Sequence, residues 1–263
     1  MRIGSIFLLL LVGFLSPNKN LFLDEDSKQL KIAVVQPVEN NYQILNNLTL
    51  QAKNDGAEVI IWPEAVSSYQ NFQARTEFAD IDIIGGFFVQ QDEKIFTSII
   101  NTSTNDRYDK RNLVPFGEFQ PFDNLLKNFN EFFNIPNSSL TRGEKSQKKV
   151  LIQQIPFSGL ICWELSFNDT FVDRTRNTGF IIHISNDSWY GKNMPAQHLL
   201  HAKARAIESQ KWVVRSTTDG ISDIISPYNQ KKLSENIPKG TKSFKTETIS
   251  TNMKLSLIHI SEP

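Results

Sequence analysis

Cysteine is almost absent from this sequence, which contains a single one, Cys162, among 263 residues. One cysteine cannot form an intramolecular disulfide, so the fold has to be stabilised by its hydrophobic core. The thiol itself fits two interpretations, a small buried hydrophobic side chain or a nucleophile. For an isolated cysteine the buried structural role is the more frequent one, so the choice depends on the residues that accompany it.

The chain also lacks an excess of either charge, since 28 Lys and Arg residues balance 28 Asp and Glu residues. Proteins that bind nucleic acids usually carry a basic excess or a basic stripe, and this sequence has neither. We therefore expect no nucleic-acid partner. With 40% hydrophobic and 21% charged residues, the composition is that of a globular protein rather than a disordered one.

No apolar run in the sequence is long enough to cross a bilayer. Residues 3–15 would form a helix of roughly 20 Å at ~1.5 Å per residue, whereas the hydrocarbon core is ~30 Å thick. We interpret residues 1–17 as a signal-like apolar segment or a residual membrane segment, followed by a linker over residues 18–30. This interpretation predicts an exported or membrane-attached domain. A buried helix at the start of a soluble domain is the alternative.

The pattern of apolar residues predicts an α/β domain over residues 31–250. Short apolar runs at residues 31–36 and 58–62 fit buried strands, and residues 40–55 between them repeat apolar positions at helical spacing. A strand, a helix and a second strand form the crossover unit of an α/β sheet covered by helices. Periodicity does not decide between one sheet and two stacked sheets. Residues 251–263 match no such pattern and are interpreted as a non-native tail.

The remaining elements are predicted in the same way. Helices are expected at residues 123–133 and 195–212, and a loop is expected at residues 108–121. Further strands are expected at residues 81–90, 94–101, 150–155, 158–162, 180–185, 213–218 and 221–226, of which the first two and the last two form hairpins.

Three polar residues, Glu64, Lys110 and Cys162, lie where predicted strands end and loops begin, and Cys162 is the last residue of its predicted strand. Ligands of α/β proteins gather beyond the carboxyl ends of strands, so these side chains could meet there. A carboxylate can take a thiol proton, an ammonium can stabilise an oxyanion and a thiolate is a strong nucleophile. Each residue alone also fits a structural role, as a cap, a surface lysine or a core cysteine. Only their combination predicts acyl transfer through a thioester.

Five sequence blocks occur in a recognisable order. They are IIWPEAV (60–66), YDKRNLVPFGEFQPF (108–122), GLICWELSF (159–167), SNDSWYG (185–191) and PAQHLLHAKARAIESQKWVVRSTTDGIS (195–222). Together they resemble the carbon–nitrogen hydrolase (nitrilase) superfamily and, within it, the apolipoprotein N-acyltransferase branch. The VPFGEFQPF block favours this branch over soluble nitrilases and amidases, whereas Cys-Trp-Glu occurs in both. The resemblance extends over about residues 31–226.

The resemblance implies a four-layer α-β-β-α sandwich and a Glu-Lys-Cys triad, which falls on Glu64, Lys110 and Cys162. It also implies supporting roles for two further glutamates, Glu118 after the lysine and Glu164 after the cysteine. The structural alternatives are a loop carboxylate paired with a neighbouring basic residue for Glu118 and a buried partner of a backbone N–H for Glu164.

For function, the resemblance implies an acyltransferase that takes an acyl chain from a phospholipid and passes it, through a thioester on Cys162, to the N-terminal amine of a diacylglyceryl-cysteine apolipoprotein. No metal or organic cofactor is expected. The expected partners are the phospholipid, the apolipoprotein and the membrane, with the domain on the periplasmic side of a bacterial inner membrane. A soluble or secreted amidase or nitrilase with the same triad is one alternative, and an inactive fragment is the other. Members of this branch carry transmembrane helices on both sides of the catalytic domain, so the resemblance implies a chain truncated at both ends.

Two further patterns leave their roles open. His198 and His201 lie three residues apart on a predicted helix, a spacing that can bind a metal ion. The sequence offers no evident third ligand, so we interpret both as residues of the polar helix face. The region after Lys110 is rich in phenylalanine, which would form a lipid-facing lid if exposed and ordinary core if buried. These residues are Phe116, Phe119, Phe122, Phe129, Phe132 and Phe133.

Overall fold

The computed structural model describes residues 27–73, 78, 81–119, 140–191, 193–228 and 235–254, which form two packed β-sheets with helices outside them. The first sheet contains β1 (Gln29–Gln36), β2 (Val59–Ile61), β3 (Ser67–Ser68), β4 (Asp82–Gln91), β5 (Lys94–Asn101), β6 (Arg107–Asp109) and β12 (Ser243–Ser250). The second contains β7 (Val150–Ile152), β8 (Ile155–Ile161), β9 (Phe180–Ser185), β10 (Val213–Thr217) and β11 (Asp223–Ile225). The helices are α1 (Tyr42–Asn54), α2 (Tyr69–Gln73), α3 (Asn168–Thr175) and α4 (Met194–Ser209).

Strand side chains alternate between two environments, and this alternation produces the layers. In β1, Ile32 lies in the core between the sheets, whereas Ala33 packs in a second core with α1. In β9, Ile182 lies between the sheets and Ile181 packs with α3 and α4. The order of layers is therefore helix, sheet, sheet, helix. This order confirms the predicted α-β-β-α sandwich.

Helix α1 shows how local sequence sets an element. The Asn41 side chain caps its first turn by accepting hydrogen bonds from the backbone N–H groups of residues 43 and 44. Leu45, Leu48 and Ala52 recur at helical spacing and are buried against the first sheet. Beyond the helix, Gly56 adopts a φ of +86°, which a residue without a Cβ tolerates most easily. The predicted helix and the strands on either side of it are confirmed.

The sheet topology brings the ends of several strands to the same edge. The first sheet has the order β12-β1-β2-β4-β5-β6, with β3 paired to β4, and the second has the order β11-β10-β9-β8-β7. In the first sheet β1, β2 and β4 are parallel, and in the second β8, β9 and β10 are parallel. Polar residues that follow these parallel strands therefore lie near one another.

Several predicted elements differ from the structure. Residues 150–155 were predicted as one strand, which is wrong because Gln153 and Gln154 have φ values of +48° and +68° and form the turn between β7 and β8. The predicted loop at residues 108–121 begins within β6. Helix α3 and strand β12 were not predicted at all.

Some predicted segments cannot be compared. The predicted helix at residues 123–133 and the apolar segment at residues 1–17 lie outside the described residues, as do residues 255–263 of the predicted tail. The last described residues include Thr251 and Asn252, which are buried. Among the helices in the described part of the chain, none combines the length and apolar character needed to span a bilayer.

Candidate active site

Glu64, Lys110 and Cys162 lie beyond the ends of β2, β6 and β8, and the structure brings them into one buried group. The Lys110 ammonium lies 2.9 Å from the Glu64 carboxylate, and the electrostatic influence of both reaches the Cys162 thiol. Close approach of the backbone makes this possible, because a Cβ on Gly86 would lie 2.6 Å from the Cα of Glu64. The convergence expected from the strand ends is therefore present.

Lys110 is fully buried and lies between two carboxylates. Its Nζ donates hydrogen bonds to Glu64 Oε1 at 2.9 Å and to Glu118 Oε1 at 2.5 Å. Burial alone would lower the pKa of Lys110, but the charges of Glu64, Cys162 and Glu118 outweigh it and raise the pKa above its usual range. Lys110 is therefore a permanent cation in this site.

Each of the two carboxylates is held by its second oxygen as well. Glu64 Oε2 accepts a hydrogen bond from the backbone N–H of Asn186 at 2.9 Å. Glu118 Oε2 accepts one from the backbone N–H of Val114 at 2.8 Å. Because one oxygen binds the ammonium and the other binds backbone, neither side chain can rotate without losing a charge-assisted bond. Glu118 thus has the pairing with Lys110 that its structural alternative required, inside the candidate site.

Cys162 follows β8, which ends at Ile161, so the prediction that the cysteine is the last residue of the strand was wrong. It opens a 3-10 turn with a φ of +54°, a left-handed conformation that costs roughly 1–2 kcal/mol for a residue with a Cβ. Its Sγ lies 3.9 Å from the Tyr190 hydroxyl. Burial and the charge of Glu64 raise the pKa of the thiol to about 12. At neutral pH the thiol is protonated, and a base is needed to activate it.

Glu164 is buried without any cationic hydrogen-bond partner among the described residues. Its carboxylate accepts hydrogen bonds from the Tyr108 hydroxyl at 3.0 Å and from the backbone N–H groups of residues 111, 112 and 161 at 2.6 to 3.0 Å. Burial raises its pKa, against the effect of these backbone bonds. The contacts join the loop after Lys110 to the strand end before Cys162. Glu164 therefore positions two parts of the site and has the structural role foreseen as its alternative.

The two histidines of α4 do not share a site. His198 is buried with its Nδ1 3.0 Å from Asp187 Oδ1, so its interpretation as a polar-face residue was wrong. His201 is exposed, and its Nδ1 lies 3.1 Å from the Ser166 hydroxyl. Within the described residues, no group of three or more His, Cys, Asp or Glu side chains could hold a metal ion.

Sequence reasoning missed a buried polar network behind Cys162. It contains His183, Asp187 and Arg215, which the structure buries completely. His183 and Arg215 belong to the apolar strands β9 and β10, where they look like isolated polar interruptions. The only available signal was that a strand buried on both faces does not tolerate an unpaired histidine or arginine, so each required a partner.

The phenylalanine-rich region is described only in part. Phe116 is 78% exposed, and Phe119 is half-buried. Phe122, Phe129, Phe132 and Phe133 lie outside the described residues. Exposure of Phe116 beside the site agrees with the lid alternative for that one residue.

Comparison with known proteins identifies relatives of the chain. The carbon–nitrogen hydrolase family model matches residues 27–231. The chain is 30% identical over 247 residues to an apolipoprotein N-acyltransferase of Vibrio vulnificus, which covers 82% of this chain and 48% of the relative. It is 33% identical over 203 residues to an apolipoprotein N-acyltransferase of Vibrio cholerae, which covers 69% of this chain and 40% of the relative. The chain thus spans about half the length, or less, of these curated relatives.

A solved structure shares the fold. A carbon–nitrogen hydrolase superfamily protein of Xanthomonas campestris, crystallised with an arsenic adduct in its active site, superposes with a TM-score of 0.59. The aligned region covers 84% of this chain and 91% of the chain in that structure, at 18% sequence identity. At that identity the similarity concerns the arrangement of layers and strands.

Proposed function

The chain belongs to the carbon–nitrogen hydrolase family, and we propose that it is the catalytic part of an apolipoprotein N-acyltransferase in which Cys162 carries the acyl group. The observation that carries the proposal is the ion group of Glu64, Lys110 and Glu118 beside a buried thiol. Similarity to curated N-acyltransferases supports the choice of reaction. Because the chain spans about half of those relatives, the activity of the whole protein is part of the proposal.

In the first half-reaction Glu64 acts as the base. With a thiol pKa of about 12, only roughly one molecule in 10⁵ carries a thiolate at pH 7, so proton transfer has to accompany attack. Glu64 takes the proton, and the Cys162 sulfur attacks an ester carbonyl carbon of a phospholipid. Lys110 and the backbone N–H of Trp163 stabilise the resulting oxyanion. The intermediate collapses by breaking the ester C–O bond, and protonated Glu64 returns the proton to the departing lysophospholipid.

In the second half-reaction an amine replaces the phospholipid. The N-terminal α-amine of a diacylglyceryl-cysteine apolipoprotein attacks the thioester carbonyl, and Glu64 accepts a proton from the amine. The C–S bond breaks, Cys162 regains its proton and the acyl chain remains on the protein as an amide. Lys110 and Glu118 keep Glu64 oriented through both steps. This scheme needs no metal ion or organic cofactor.

The proposed setting is the periplasmic side of a bacterial inner membrane. Phospholipid is the donor, so the site has to lie within reach of a bilayer surface. The exposed Phe116, two residues before Glu118 in the sequence, supports contact with apolar material. An amidase or nitrilase would use the same three residues with water as the acceptor, and the test below separates the two.

Intact-mass measurement tests the proposal directly. The protein is incubated with phosphatidylethanolamine in detergent, and the whole chain and its Cys162 peptide are weighed. We expect one acyl group on Cys162, removable by hydroxylamine, with no adduct in Cys162→Ala and a much slower one in Glu64→Gln. Cleavage of small amides without an adduct would favour the hydrolase, and absence of both activities would indicate an inactive fragment. Either result would overturn the proposal.

A further inference from the structure

Three buried side chains form a hydrogen-bonded network that ends at the carbonyl oxygen of Cys162. Asp187 Oδ2 accepts a hydrogen bond from Arg215 Nη2 at 2.6 Å. Arg215 Nη1 lies 2.6 Å from His183 Nδ1, and His183 Nε2 lies 2.8 Å from the Cys162 carbonyl oxygen. The three side chains are fully buried, so solvent does not compete for these bonds. None of the three has a task in the proposed mechanism.

The direction of each hydrogen bond in this network follows from which groups can donate. A guanidinium has only N–H donors, so Nδ1 of His183 has to accept from Arg215. Nε2 therefore carries the proton and donates it to the Cys162 carbonyl. Burial and the charge of Arg215 lower the pKa of His183 well below its usual range, which keeps the ring neutral in this tautomer.

The carbonyl of Cys162 belongs to the same peptide unit as the N–H of Trp163. We propose that His183 is a positioning residue that, with Arg215 and Asp187, orients and polarises this peptide unit so that the Trp163 N–H stabilises the oxyanion formed on Cys162. A donor bound to a peptide oxygen strengthens the N–H of that unit as a donor, because hydrogen bonds in a chain polarise one another. The inference rests on the proposed function, since it requires acyl chemistry at Cys162.

The backbone conformation of Cys162 explains why the orientation of the following peptide unit needs the hydrogen bond from His183. Its left-handed φ of +54° persists only where surrounding contacts fix it. Trp163 is anchored on its other side by its indole N–H, which donates to the Asn112 carbonyl at 2.6 Å. The hydrogen bond from His183 fixes the peptide plane between these two points.

Asp187 balances the charge of Arg215 and is itself held firmly. Its Oδ1 accepts from the Ser185 hydroxyl at 2.5 Å and contacts His198 Nδ1 at 3.0 Å. Gly220 allows this packing, because a Cβ there would lie 2.5 Å from Asp187 Oδ2. Arg215 is therefore fixed at both ends, and its charge is directed toward His183.

Two reactions of the same thiol test the role of His183. Acylation of Cys162 by a short-chain p-nitrophenyl ester passes through an oxyanion, whereas alkylation by iodoacetamide is a displacement at a saturated carbon and forms none. For His183→Leu we expect acylation to slow about tenfold or more and alkylation to change less than about twofold. His183→Gln keeps one donor and one acceptor and should recover most of the acylation rate. His201→Leu, a histidine on the exposed side of α4, is the matched control and should alter neither rate.

The outcomes are distinguishable. A selective loss of acylation that glutamine restores supports the inference, whereas equal slowing of both reactions, or of neither, overturns it. Undiminished acylation of the protein by the ester in Cys162→Ala would instead mean that another residue carries the acyl group, which contradicts the proposed function.

A spectroscopic measurement reads the tautomer of His183 in the unaltered protein, and a variant serves only to assign the resonance. In protein with ¹⁵N-labelled histidine, His183 should show one protonated nitrogen, Nε2, at neutral pH. A doubly protonated ring or a proton on Nδ1 would overturn the assignment. The resonance is identified as the one that His183→Gln lacks.

Discussion

Two groups in the site hold glutamates in different ways, and we call the group around Lys110 the front and the group around Glu164 the back. At the front, Glu64 and Glu118 share the ammonium of Lys110 beside the thiol. At the back, Glu164 accepts hydrogen bonds from one phenol and three backbone N–H groups, all of which are neutral. The back is closed by Arg174, whose guanidinium lies 4.1 Å above the Tyr108 ring. Backbone N–H groups bind carboxylates in both places, but only Glu64 at the front also has a thiol and an ammonium as neighbours with which protons can be exchanged.

The front and the back therefore differ in the free-energy cost of changing a glutamate. Protonating Glu64 leaves Lys110 paired with Glu118, so the front tolerates the change of charge that general acid–base chemistry demands. Altering Glu164 would leave several buried donors unpaired at once, and each unpaired group costs about 1–3 kcal/mol. Changes at the front should therefore reduce activity, and changes at the back should reduce stability.

The largest expected effect is that of Glu64→Gln on acylation. The amide cannot take the thiol proton, so acylation of Cys162 should slow about 10²- to 10⁴-fold. Stability to urea should fall less than in Glu164→Gln, because the new amide meets two donors instead of four and Glu118 still pairs with Lys110. Loss of the Glu64 charge also removes one cause of the raised pKa of Cys162, so alkylation by iodoacetamide at alkaline pH should become faster. Stopped-flow acylation and alkylation rates, measured on the same protein, check both signs.

Glu39→Gln is the control for this variant. Glu39 forms an exposed ion pair with Lys242 far along the chain, and its loss should affect neither activity nor stability measurably. Equal losses of activity and stability in Glu64→Gln would break the distinction between front and back.

The next largest effect is that of Glu164→Gln on stability. The substitution keeps the size of the side chain but places an NH₂ donor among groups that are themselves donors. We expect the free energy of unfolding to fall by about 2–3 kcal/mol, measured by urea titration. Acylation should slow as well, because the loop after Lys110 loses its anchor to the strand before Cys162. Unchanged stability with lost activity would instead assign Glu164 to the chemistry.

Front and back also differ in how far the sequence could predict them. Glu64 and Cys162 were singled out because each lies at the end of a short apolar run, and the topology of parallel strands brings such ends together. Their assignment to a site required the combination with Lys110 and the resemblance of the surrounding blocks to a known family. Glu118 lies eight residues after Lys110, within one loop, so a short-range pairing was foreseeable. Three of the four donors of Glu164 come from positions more than 50 residues away, and no local pattern indicates them.

Strand β12 was not predicted from the sequence for a related reason. Its sequence places Lys245 at an inward position, and a lysine there argues against a buried strand. In the structure Lys245 is neutralised by Asp223, whose Oδ1 lies 2.6 Å from its Nζ. This contact depends on β12 pairing with β1 next to the second sheet. The same holds for the network of His183, Asp187 and Arg215. In both cases a buried charged or polar side chain is explained only by the partner that it contacts in the folded chain.

The last predicted effect is a fall in stability at alkaline pH, which we expect to arise from Cys162 in the front group. The folded chain holds the pKa of Cys162 at about 12, whereas an unfolded cysteine has a pKa of about 8.5. Between these values the unfolded state loses a proton that the folded state keeps. Stability should therefore fall as pH rises, by up to ~1.4 kcal/mol per pH unit from this group. Cys162→Ser keeps the shape and does not titrate, so the decline between about pH 8.5 and 10 should become shallower.

Tyr108→Phe provides the matched measurement at the back. A free tyrosine has a pKa of about 10, and burial with the charge of Glu164 raises that of Tyr108 further, so its hydroxyl contributes little to the slope below about pH 9. Up to about that pH, Tyr108→Phe should lower stability by a nearly constant amount, about 1 kcal/mol for one lost hydrogen bond. Cys162→Ser should change the slope instead. Parallel pH profiles for wild type and Cys162→Ser would mean that the thiol is not held protonated beside Glu64, and the case for Glu64 as its base would fail with it.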